Sequence, residues 1–337
     1  MKNILVTGGA GFIGSNFIHY LLEKYSDIKV INFDKLTYAA NLENLKNIEN
    51  DSRYTFIQGD ICNSEVVNKT IREFQIDTIA HFAAESHVDR SILGPQIFIQ
   101  TNVVGTSILL EAARNNKINK FVHVSTDEVY GSLGAVGKFT EKSPLDPTSP
   151  YSSSKASSDL IALSYFKTFN LPVVITRCSN NYGPFQFPEK LIPLMIANAL
   201  ANKPLPVYGE GLNIRDWLYV RDHCSAIDVV LQKGKNGEVY NVGGNNEWKN
   251  IEIVKLLLKT LKKSDSLIQF VKDRVAHDFR YAIDASKIKN ELDWIPEHNF
   301  ENGLQETIKW YLENESWWKR ILSGDYQKYY ELQYSNR

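Results

Sequence analysis

Short apolar runs rich in β-branched residues recur along the first half of the chain. They occupy residues 3–7, 29–33, 54–58, 78–83, 120–125 and 172–176, and each has the length of a buried strand. The segments between them carry apolar residues at helical spacing, at 15–25, 64–74 and 103–115. Hydrophobic strands that alternate with amphipathic helices predict an α/β fold, a doubly wound parallel sheet covered on both faces.

The regular alternation of predicted strands and helices ends after Asn180, where five prolines between 184 and 206 interrupt the chain. Short strands mixed with helices predict a smaller, mixed α/β C-terminal domain. We therefore expect one domain over residues 1–180 and a second over 181–337. The run EVYNVGG at 238–244 has the character of a buried strand that returns to the first sheet, so we expect the two domains to be interleaved.

Length, charge and cysteine content narrow the class of protein. The 337 residues suit two units of roughly 150 residues. Lys plus Arg (38) nearly cancels Asp plus Glu (39), so no overall field favours nucleic acid or an anionic membrane. The three cysteines are widely separated and form no CxxC pair, which argues against a metal site and a disulfide framework. No metal, nucleic acid or membrane partner is predicted, and the apolar N-terminal run is too short for a signal peptide. A cytoplasmic location is the expectation.

A glycine-rich turn follows the first predicted strand and opens the first predicted helix. The run TGGAGFIG places Gly8, Gly11 and Gly14 where glycine allows a tight turn, close approach to a pyrophosphate and close helix packing. Asp34 lies twenty residues after Gly14, where a carboxylate can accept hydrogen bonds from an adenosine ribose and would repel a 2'-phosphate. This arrangement predicts a Rossmann-type domain that prefers NAD to NADP. The alternative is a turn that serves packing alone, with Asp34 solvated.

Three further strand ends meet the edge of the sheet where ligands bind in such folds. Asp60–Ile61 closes the third strand and Ala83–Ala84 the fourth, although either pair alone is also typical of an ordinary strand end. The fifth strand runs into Asp127 and Glu128. If their environments separate the pKa values of the two carboxyl groups, one can act as an acid and the other as a base. A turn-forming or helix-capping pair is an equally open interpretation.

Tyr151 and Lys155 lie four residues apart at the start of a predicted helix, and so share one face. An ammonium beside a phenol favours the phenolate, so Tyr151 could act as a base toward a sugar hydroxyl. Tyr/Lys pairs at this spacing are more often surface decoration, and the nearby glycine turn is what favours the catalytic interpretation.

Together these motifs resemble the extended short-chain dehydrogenase/reductase superfamily and, within it, the dTDP-glucose 4,6-dehydratases. The glycine turn and the YxxxK spacing are common to the superfamily, whereas the Thr126–Asp127–Glu128 triplet is much more specific to the sugar-nucleotide 4,6-dehydratases. The motifs that carry the resemblance are TGGAGFIG, DKLTYAANLENL, AAESHVDRS, STDEVYG, YSSSKASSD, CSNNYGPFQFPEKLIP, RDWLYVRDH and DRVAHDFRYAID.

The resemblance implies a hydro-lyase with tightly held NAD. Tyr151 would take the proton of the glucose 4-hydroxyl as NAD accepts the C4 hydride, with Thr126 hydrogen-bonding nearby and Lys155 holding the ribose and lowering the tyrosine pKa. Glu128 would then remove the C5 proton while Asp127 protonates the departing 6-hydroxyl, and the hydride would return to C6. The expected product is dTDP-4-keto-6-deoxyglucose, a deoxysugar precursor for which dTDP-rhamnose synthesis is the commonest setting.

Helices 101–115 and 151–169 carry apolar residues on more than one face, and the resemblance implies a homodimer through a four-helix interface; the alternative is deep burial of these faces within a monomer. The resemblance also implies a set of binding residues. The second domain would bind the sugar nucleotide, and Val275–Ala276 stands where Pro-Gly is common in the family. The implied cofactor contacts are Gly8, Gly11, Phe12, Ile13, Gly14, Asp34, Lys35, Leu36, Thr37, Asp60, Ile61, Ala83, Ala84, Glu85, Ser86, Thr101, Ser125, Tyr151, Lys155 and Asn181. The implied substrate contacts are Ser86, His87, Thr126, Asn180, Glu189, Lys190, Leu191, Pro206, Val207, Tyr208, Arg215, Asn250, Asp273, Arg274 and His277.

Other functions share parts of this pattern. A UDP-glucose 4-epimerase would use NAD, Tyr151 and Lys155 but has no need of an acid–base pair for water loss, so Asp127 and Glu128 weigh against it and against a decarboxylase. A dehydratase for a GDP- or CDP-sugar stays open, because the contacts to the base are not readable from the sequence. A catalytically idle NAD-binding sensor on the same fold is a further alternative.

Overall fold

A computed structural model describes residues 1–273 and 277–322. Its centre is a seven-stranded sheet in which every neighbouring pair of strands is parallel. The strands are β1 (Asn3–Thr7), β2 (Lys29–Asp34), β3 (Tyr54–Gln58), β4 (Thr78–His81), β5 (Lys120–Thr126), β6 (Val173–Cys178), β7 (Asn180–Tyr182), β8 (Leu205–Tyr208), β9 (Ile214–Tyr219), β10 (Val239–Val242), β11 (Glu247–Lys249) and β12 (Ile268–Val271).

The order of the strands in the large sheet is β3-β2-β1-β4-β5-β6-β10. This order confirms the predicted Rossmann-type doubly wound fold. The direction of winding reverses between β1 and β4, and a crevice opens beyond the carboxyl ends of the strands at such a reversal. The segment expected to return to the sheet forms β10, which pairs in parallel with β6.

Twelve α-helices connect and cover the sheets. They are α1 (Phe12–Lys24), α2 (Ser64–Glu73), α3 (Val88–Leu93), α4 (Pro95–Phe98), α5 (Thr106–Asn115), α6 (Pro150–Phe169), α7 (Leu191–Leu200), α8 (Val220–Lys233), α9 (Asn250–Thr260), α10 (Ser286–Leu292), α11 (Phe300–Glu313) and α12 (Glu315–Ile321) within the part of the chain that the structure describes. Short 3₁₀ helices lie at Leu42–Ile48, Asp127–Tyr130 and Asp265–Leu267.

Two helices begin earlier than the hydrophobic spacing predicts. Helix α1 starts at Phe12 rather than at residue 15, directly after Gly11, because its first turn belongs to the glycine motif instead of the apolar stripe. A π-helical segment, Ile99–Gly105, precedes α5, so the uncharged run before the predicted helix is helical too. None of the helices in the described residues is long and apolar enough to cross a membrane.

The C-terminal half builds a smaller lobe beside the carboxyl edge of the sheet. Strands β7, β9 and β11 form a three-stranded sheet, and β8 pairs with β12. A separate apolar core joins α7, α9 and α11 and includes Tyr182, Trp217 and Phe300. The lobe and the large sheet meet at β6 and β7, which only Ser179 separates in the chain. The boundary between the two predicted domains stays a prediction.

A buried ion pair joins α6 to β6. Arg177 Nε on β6 donates to Asp159 Oδ2 on α6 over 2.8 Å, and His123 Nε2 lies 3.3 Å from Asp159 Oδ1. Burial acts to raise the pKa of Asp159, but the hydrogen bond with His123 and the charge of Arg177 outweigh it, and the net pKa is lowered. The carboxylate is therefore ionised inside the protein, and it balances a buried guanidinium.

Removal of that negative charge should destabilise the fold. Because Asp159→Asn leaves Arg177 buried without its counter-ion, we expect it to lower the free energy of unfolding by about 3–5 kcal/mol. Glu313→Gln, which breaks the exposed pair with Lys309 (3.8 Å), should cost about 0–1 kcal/mol. Urea unfolding followed by tryptophan fluorescence measures both, and equal midpoints for the two variants would contradict the assignment.

Candidate active site

The glycine turn between β1 and α1 brings three backbone segments into close contact. Gly8 has a φ of +71°, and a Cβ there would lie 2.7 Å from the backbone nitrogen of Ala83. A Cβ on Gly14 would lie 2.3 Å from the carbonyl oxygen of Gly8. Gly11 caps α1 without a side-chain hydrogen bond. The first amides of the helix are therefore available to an anion, and they carry its partial positive charge.

Asp34 lies at the end of β2 and faces this turn. Its Oδ2 accepts from the backbone nitrogen of Ala10 (3.0 Å) and its Oδ1 from that of Leu36 (2.8 Å). Burial raises the pKa of Asp34, and the two backbone hydrogen bonds act in the opposite direction. Leu36 has a φ of 60°, and its backbone nitrogen orients the carboxylate. The turn, the helix N-terminus and the carboxylate together fit a dinucleotide.

One cleft collects most of the residues predicted to bind the cofactor. It runs along the carboxyl ends of β1, β2, β3, β4 and β5, and Lys35 and Asp60 pair within it over 2.7 Å. The predicted cofactor residues that line it are Gly8, Gly11, Phe12, Ile13, Gly14, Asp34, Lys35, Thr37, Asp60, Ile61, Ala83, Ala84, Glu85, Ser86, Thr101, Ser125, Tyr151, Lys155 and Asn181. Their individual contacts to a cofactor stay predictions.

Helix α6 places the side chains of Tyr151 and Lys155 in the same cleft. A capping box between Ser149 and Ser152, with Pro150 in the first turn, starts the helix immediately before the tyrosine. Both side chains are buried, and Lys155 Nζ donates to the carbonyl oxygen of Val124 over 2.9 Å. The pair is therefore not surface decoration.

Burial shapes the protonation of this pair. It raises the pKa of Tyr151 well above its ordinary value, with a further contribution from the charge of Glu128, while a hydrogen bond with Thr126 acts in the opposite direction. Burial lowers the pKa of Lys155 to about 8, which Asp159 partly offsets. Tyr151 is therefore a neutral phenol in the protein alone, in contrast to the phenolate that the sequence favours.

The acidic pair occupies a 3₁₀ turn at the end of β5. Thr126 caps the turn, because its Oγ1 accepts from the backbone nitrogen of Glu128 (3.2 Å) and donates to Asp127 Oδ1 (3.3 Å). The threonine therefore performs the capping, and the carboxyl groups of Asp127 and Glu128 both line the cleft. Asp127 Oδ2 is buried and has no hydrogen-bond partner among the residues that the structure describes.

The two carboxyl groups have different surroundings. Asp127 is buried whereas Glu128 is partly exposed. Burial raises the pKa of Asp127 well above its ordinary value, and the charges of Glu128 and Asp216 add to this effect, while Arg215 opposes it. The raised pKa favours the protonated, neutral form of the Asp127 carboxyl group. A neutral acid beside a second carboxyl group is the arrangement that acid–base elimination needs.

The predicted substrate residues fall into two groups. Ser86, Thr126, Asn180, Glu189 and Lys190 line the cleft, and Lys190 Nζ reaches the carbonyl oxygen of Ser86 over 3.2 Å. This contact links the segment after β4 to the segment before α7.

The second group lies in the smaller lobe. Tyr208 packs edge-on against His277 with ring centroids 6.1 Å apart, and His277 Nδ1 lies 2.6 Å from Asp273 Oδ1. Arg215 is buried with its guanidinium 4.2 Å from the ring centre of Tyr281. The other predicted members in this lobe are Leu191 at the start of α7, Pro206 and Val207 in β8, and Asn250 at the start of α9. His87 lies outside the lobe, at the start of α3, and its Nε2 is 3.9 Å from Glu189 Oε2. Arg274 and the Val275–Ala276 departure lie outside the described residues.

Comparisons with known proteins agree with this site. The family model described as GDP-mannose 4,6 dehydratase matches residues 5–307. A dTDP-glucose 4,6-dehydratase from Xanthomonas campestris pv. campestris (strain B100) is 53% identical, over 97% of this chain and 98% of the relative. The chain belongs to the dTDP-glucose 4,6-dehydratase family. This membership confirms the resemblance to these dehydratases that was inferred from the sequence motifs.

Two solved structures of the family superpose on nearly the whole chain. A Bacillus anthracis (strain Ames) dTDP-glucose 4,6-dehydratase in complex with NAD gives a TM-score of 0.90 at 58% identity, covering 95% of this chain and 100% of that one. A Streptomyces venezuelae dTDP-glucose 4,6-dehydratase with NAD and dTDP bound gives 0.92 at 48% identity, with the same coverage. The fold of the family is therefore present throughout the described part of the chain.

Several residues that line the cleft are missing from the sequence-based prediction. Cys178 ends β6 and Ser179 follows it directly, so the rule that ligands meet the carboxyl ends of parallel strands would have found them. Gln186 and Phe187 lie in an irregular segment that no periodicity marks. The other unpredicted lining residues are Phe33, Ala39, Ala40, Gly59, Phe82 and Val124.

The raised pKa of Asp127 predicts a pH-dependent stability. In the unfolded chain the carboxyl group of Asp127 releases its proton near pH 4, whereas the folded protein keeps that proton to higher pH. The contribution of Asp127 to the free energy of unfolding is therefore lost as pH rises from about 4 toward the pKa of Asp127 in the folded protein. Asp127→Asn should therefore gain stability relative to wild type by up to about 1.4 kcal/mol per pH unit across that window. Thermal unfolding of both proteins between pH 5 and 9 measures the difference.

The matched control for this experiment is Glu313→Gln, which neutralises an exposed carboxylate. Its difference from wild type should change little with pH. A difference between Asp127→Asn and wild type that stays constant over the same range would show that Asp127 ionises normally in the folded protein.

Proposed function

We propose that this chain catalyses the dehydration of dTDP-glucose to dTDP-4-keto-6-deoxyglucose. The observation that carries the proposal is the buried Asp127, whose pKa is raised by burial, beside Glu128 in the cleft that also contains Tyr151 and Lys155. Its relatives are named for the same hydro-lyase reaction. Solved relatives hold NAD, and one also holds dTDP.

The residues around the glycine turn fit NAD. The free amides of α1 suit the pyrophosphate, and Asp34 suits the adenosine ribose. Lys155 lies where it can hold the second ribose beside Tyr151. When bound, NAD supplies the acceptor for hydrogen from C4 of the sugar and the donor for C6.

Side chains of the protein accept and donate the protons of the proposed reaction. We assign Tyr151, as the phenolate that the positive charge of a bound nicotinamide would favour, to take the proton of the 4-hydroxyl, with Thr126 as its hydrogen-bond partner. The 4-ketone acidifies C5, and Glu128 takes that proton while Asp127 donates its own to the departing 6-hydroxyl, which leaves as water. Glu128 returns its proton to C5. The cycle closes when the proton held by Tyr151 is returned to Asp127.

A 4-epimerase would use Tyr151 and Lys155 without any acid for a leaving hydroxyl. In that case a buried, protonated Asp127 aimed into the cleft would have no task, and its desolvation would be an uncompensated cost. The acid–base pair therefore favours water loss over epimerisation.

The deciding experiment follows product mass after purified protein is incubated, without added cofactor, with dTDP-glucose, UDP-glucose or GDP-mannose in separate reactions. We expect loss of one water from dTDP-glucose alone, and NAD released from the denatured protein, because a cofactor that left midway would strand the oxidised sugar. Conversion of UDP-glucose to an isomer of equal mass would identify an epimerase. Protein isolated free of nucleotide would contradict retention.

Two variants test the acid–base roles. Asp127→Asn and Glu128→Gln should each lower turnover at saturating dTDP-glucose by about 10²–10⁴-fold with bound NAD unchanged. Normal turnover in both variants would remove these roles, and loss of NAD from either would point to a structural defect instead.

We also propose a homodimer that forms through α3, α4, the π-helical segment and α6. These elements pack on one another and leave large apolar side chains exposed, among them Leu93 (65%) and Leu160 (59%). The other exposed apolar residues on these elements are Ile92, Ile97, Ile99, Val104 and Phe169. Several large apolar side chains exposed on elements that pack together are typical of an interface.

Light scattering at micromolar protein tests the dimer. We expect a mass near twice 38.5 kDa for wild type, and a shift toward one chain mass for Leu160→Glu, which would bury an unpaired charge in the interface. The matched control is Val136→Glu, at a position that is 83% exposed in a loop away from these helices, and it should stay dimeric. A monomeric wild type would refute the proposal.

A cytoplasmic location is proposed as well. All three cysteines, Cys62, Cys178 and Cys224, are free thiols, which suits a reducing compartment.

A further inference from the structure

Three side chains from separate segments meet beside the cleft, which one of them, Glu189, lines. Tyr38 Oη donates to Glu189 Oε1 over 3.1 Å, and Arg90 Nε donates to Glu189 Oε2 over 3.3 Å. The guanidinium of Arg90 also lies 3.7 Å from the ring centre of Tyr38. Each member of this cluster therefore contacts the other two.

The cluster joins parts of the chain that are distant in sequence. Tyr38 lies in the loop after β2, Arg90 on α3 after β4, and Glu189 in the segment that leads into α7 of the smaller lobe. Phe187, from the same segment as Glu189, packs edge-on against Tyr38 with ring centroids 5.6 Å apart. The loop after β2 is thus held to the smaller lobe by a polar and an aromatic contact.

The contacts of Glu189 are protected from water. Its side chain is 2% exposed, and burial raises its pKa, which Lys190 and Arg90 partly offset. Burial also raises the pKa of Tyr38, so its hydroxyl keeps the proton that it donates. Hydrogen bonds to a buried carboxyl group are stronger than those at a surface.

The loop that carries Tyr38 is also part of the cofactor site. Asp34 precedes Tyr38, and its neighbours Thr37 and Ala39 line the cleft, as does Glu189 on the other side. A dinucleotide that rests on Asp34 and the glycine turn can leave most directly if this loop separates from the smaller lobe. That separation requires the contacts of Tyr38 with Glu189 and Arg90 to break.

We propose that Tyr38, Arg90 and Glu189 form a clasp that retains the bound dinucleotide, which makes Tyr38 and Arg90 retention residues of this enzyme. The inference rests on the proposed function, since it takes the ligand at Asp34 to be NAD. A clasp suits a reaction in which the same cofactor must stay bound while it accepts and returns hydrogen. Tyr38 and Arg90 act on the cofactor through the loop and need not touch it.

The test measures how fast bound NAD exchanges with excess isotopically labelled NAD in the purified full-length protein, by mass spectrometry of the retained nucleotide. Tyr38→Phe removes the donor to Glu189 and keeps the ring, and we expect about tenfold faster exchange, equivalent to about 1.4 kcal/mol. Arg90→Gln should show a similar acceleration. Arg90→Lys should fall between Arg90→Gln and wild type, because lysine keeps the charge but loses the planar contact with Tyr38.

The matched control is Tyr25→Phe. The hydroxyl of Tyr25 donates to Asp228 over 2.9 Å and joins α1 to α8 at the opposite end of α1 from the glycine turn. This variant removes the same kind of hydrogen bond, and its exchange rate should equal that of wild type. Equal acceleration in Tyr25→Phe would show general loosening of the fold and would overturn the clasp.

The outcomes separate the clasp from the proposed function. Wild type that carries no NAD would contradict the proposed cofactor. Wild type that carries NAD, with exchange within twofold of wild type in Tyr38→Phe and Arg90→Gln, would refute the clasp and leave the proposed function intact. If Tyr38→Phe does not fold, the pair Arg90→Gln and Arg90→Lys decides by the same criterion.

Discussion

The parallel alignment of the large sheet is the constraint on which the site depends. Parallel strands need a crossover after each strand, so the turns that follow β1, β2, β3, β4 and β5 all emerge at one edge. The strand order reverses at β1, and the turns on either side of it separate into a crevice. The glycine turn, Asp34 and the Thr126 turn are far apart in sequence, yet they line one cleft because their strands end together.

Burial gives this cleft its chemistry. Desolvation disfavours charge, so it raises the pKa of Asp127 and of Tyr151 and lowers that of Lys155. The raised pKa of Asp127 favours its neutral form, the form that can donate a proton. The shifts of the Tyr151 and Lys155 pKa values describe the protein without a cofactor. A positively charged nicotinamide beside Tyr151 would favour the phenolate by the same electrostatic rule. The cofactor and the protein therefore share the task of activating the tyrosine.

The smaller lobe closes the cleft through side chains rather than through the sheet. Lys190 reaches Ser86, and Glu189 contacts both Tyr38 and Arg90. These contacts connect the two halves of the molecule across the ligand site. A substrate that binds between the halves consequently meets a wall that is already assembled.

The sequence by itself determined the features that depend on local backbone geometry and on periodicity. Glycines at positions 8, 11 and 14, the carboxylate at 34 and the Tyr151–Lys155 spacing predict a nucleotide turn and a catalytic helix, because a turn or one helical face is defined within a few residues. The alternation of strands and helices predicts the doubly wound sheet for the same reason. The motif resemblance then separated a dehydratase from its relatives.

Only the tertiary structure decided which of the two adjacent carboxyl groups is buried, because the motif resemblance implied an acid role for Asp127 without the surroundings that favour it. It also decided that Tyr38 and Arg90 meet Glu189. No motif or periodicity connects residues 38, 90 and 189, and in the sequence each looks like an ordinary loop or helix position. Their proximity arises from strand order and from the docking of the smaller lobe. Desolvation depends on every neighbour in space, and the order of residues along the chain does not record those neighbours.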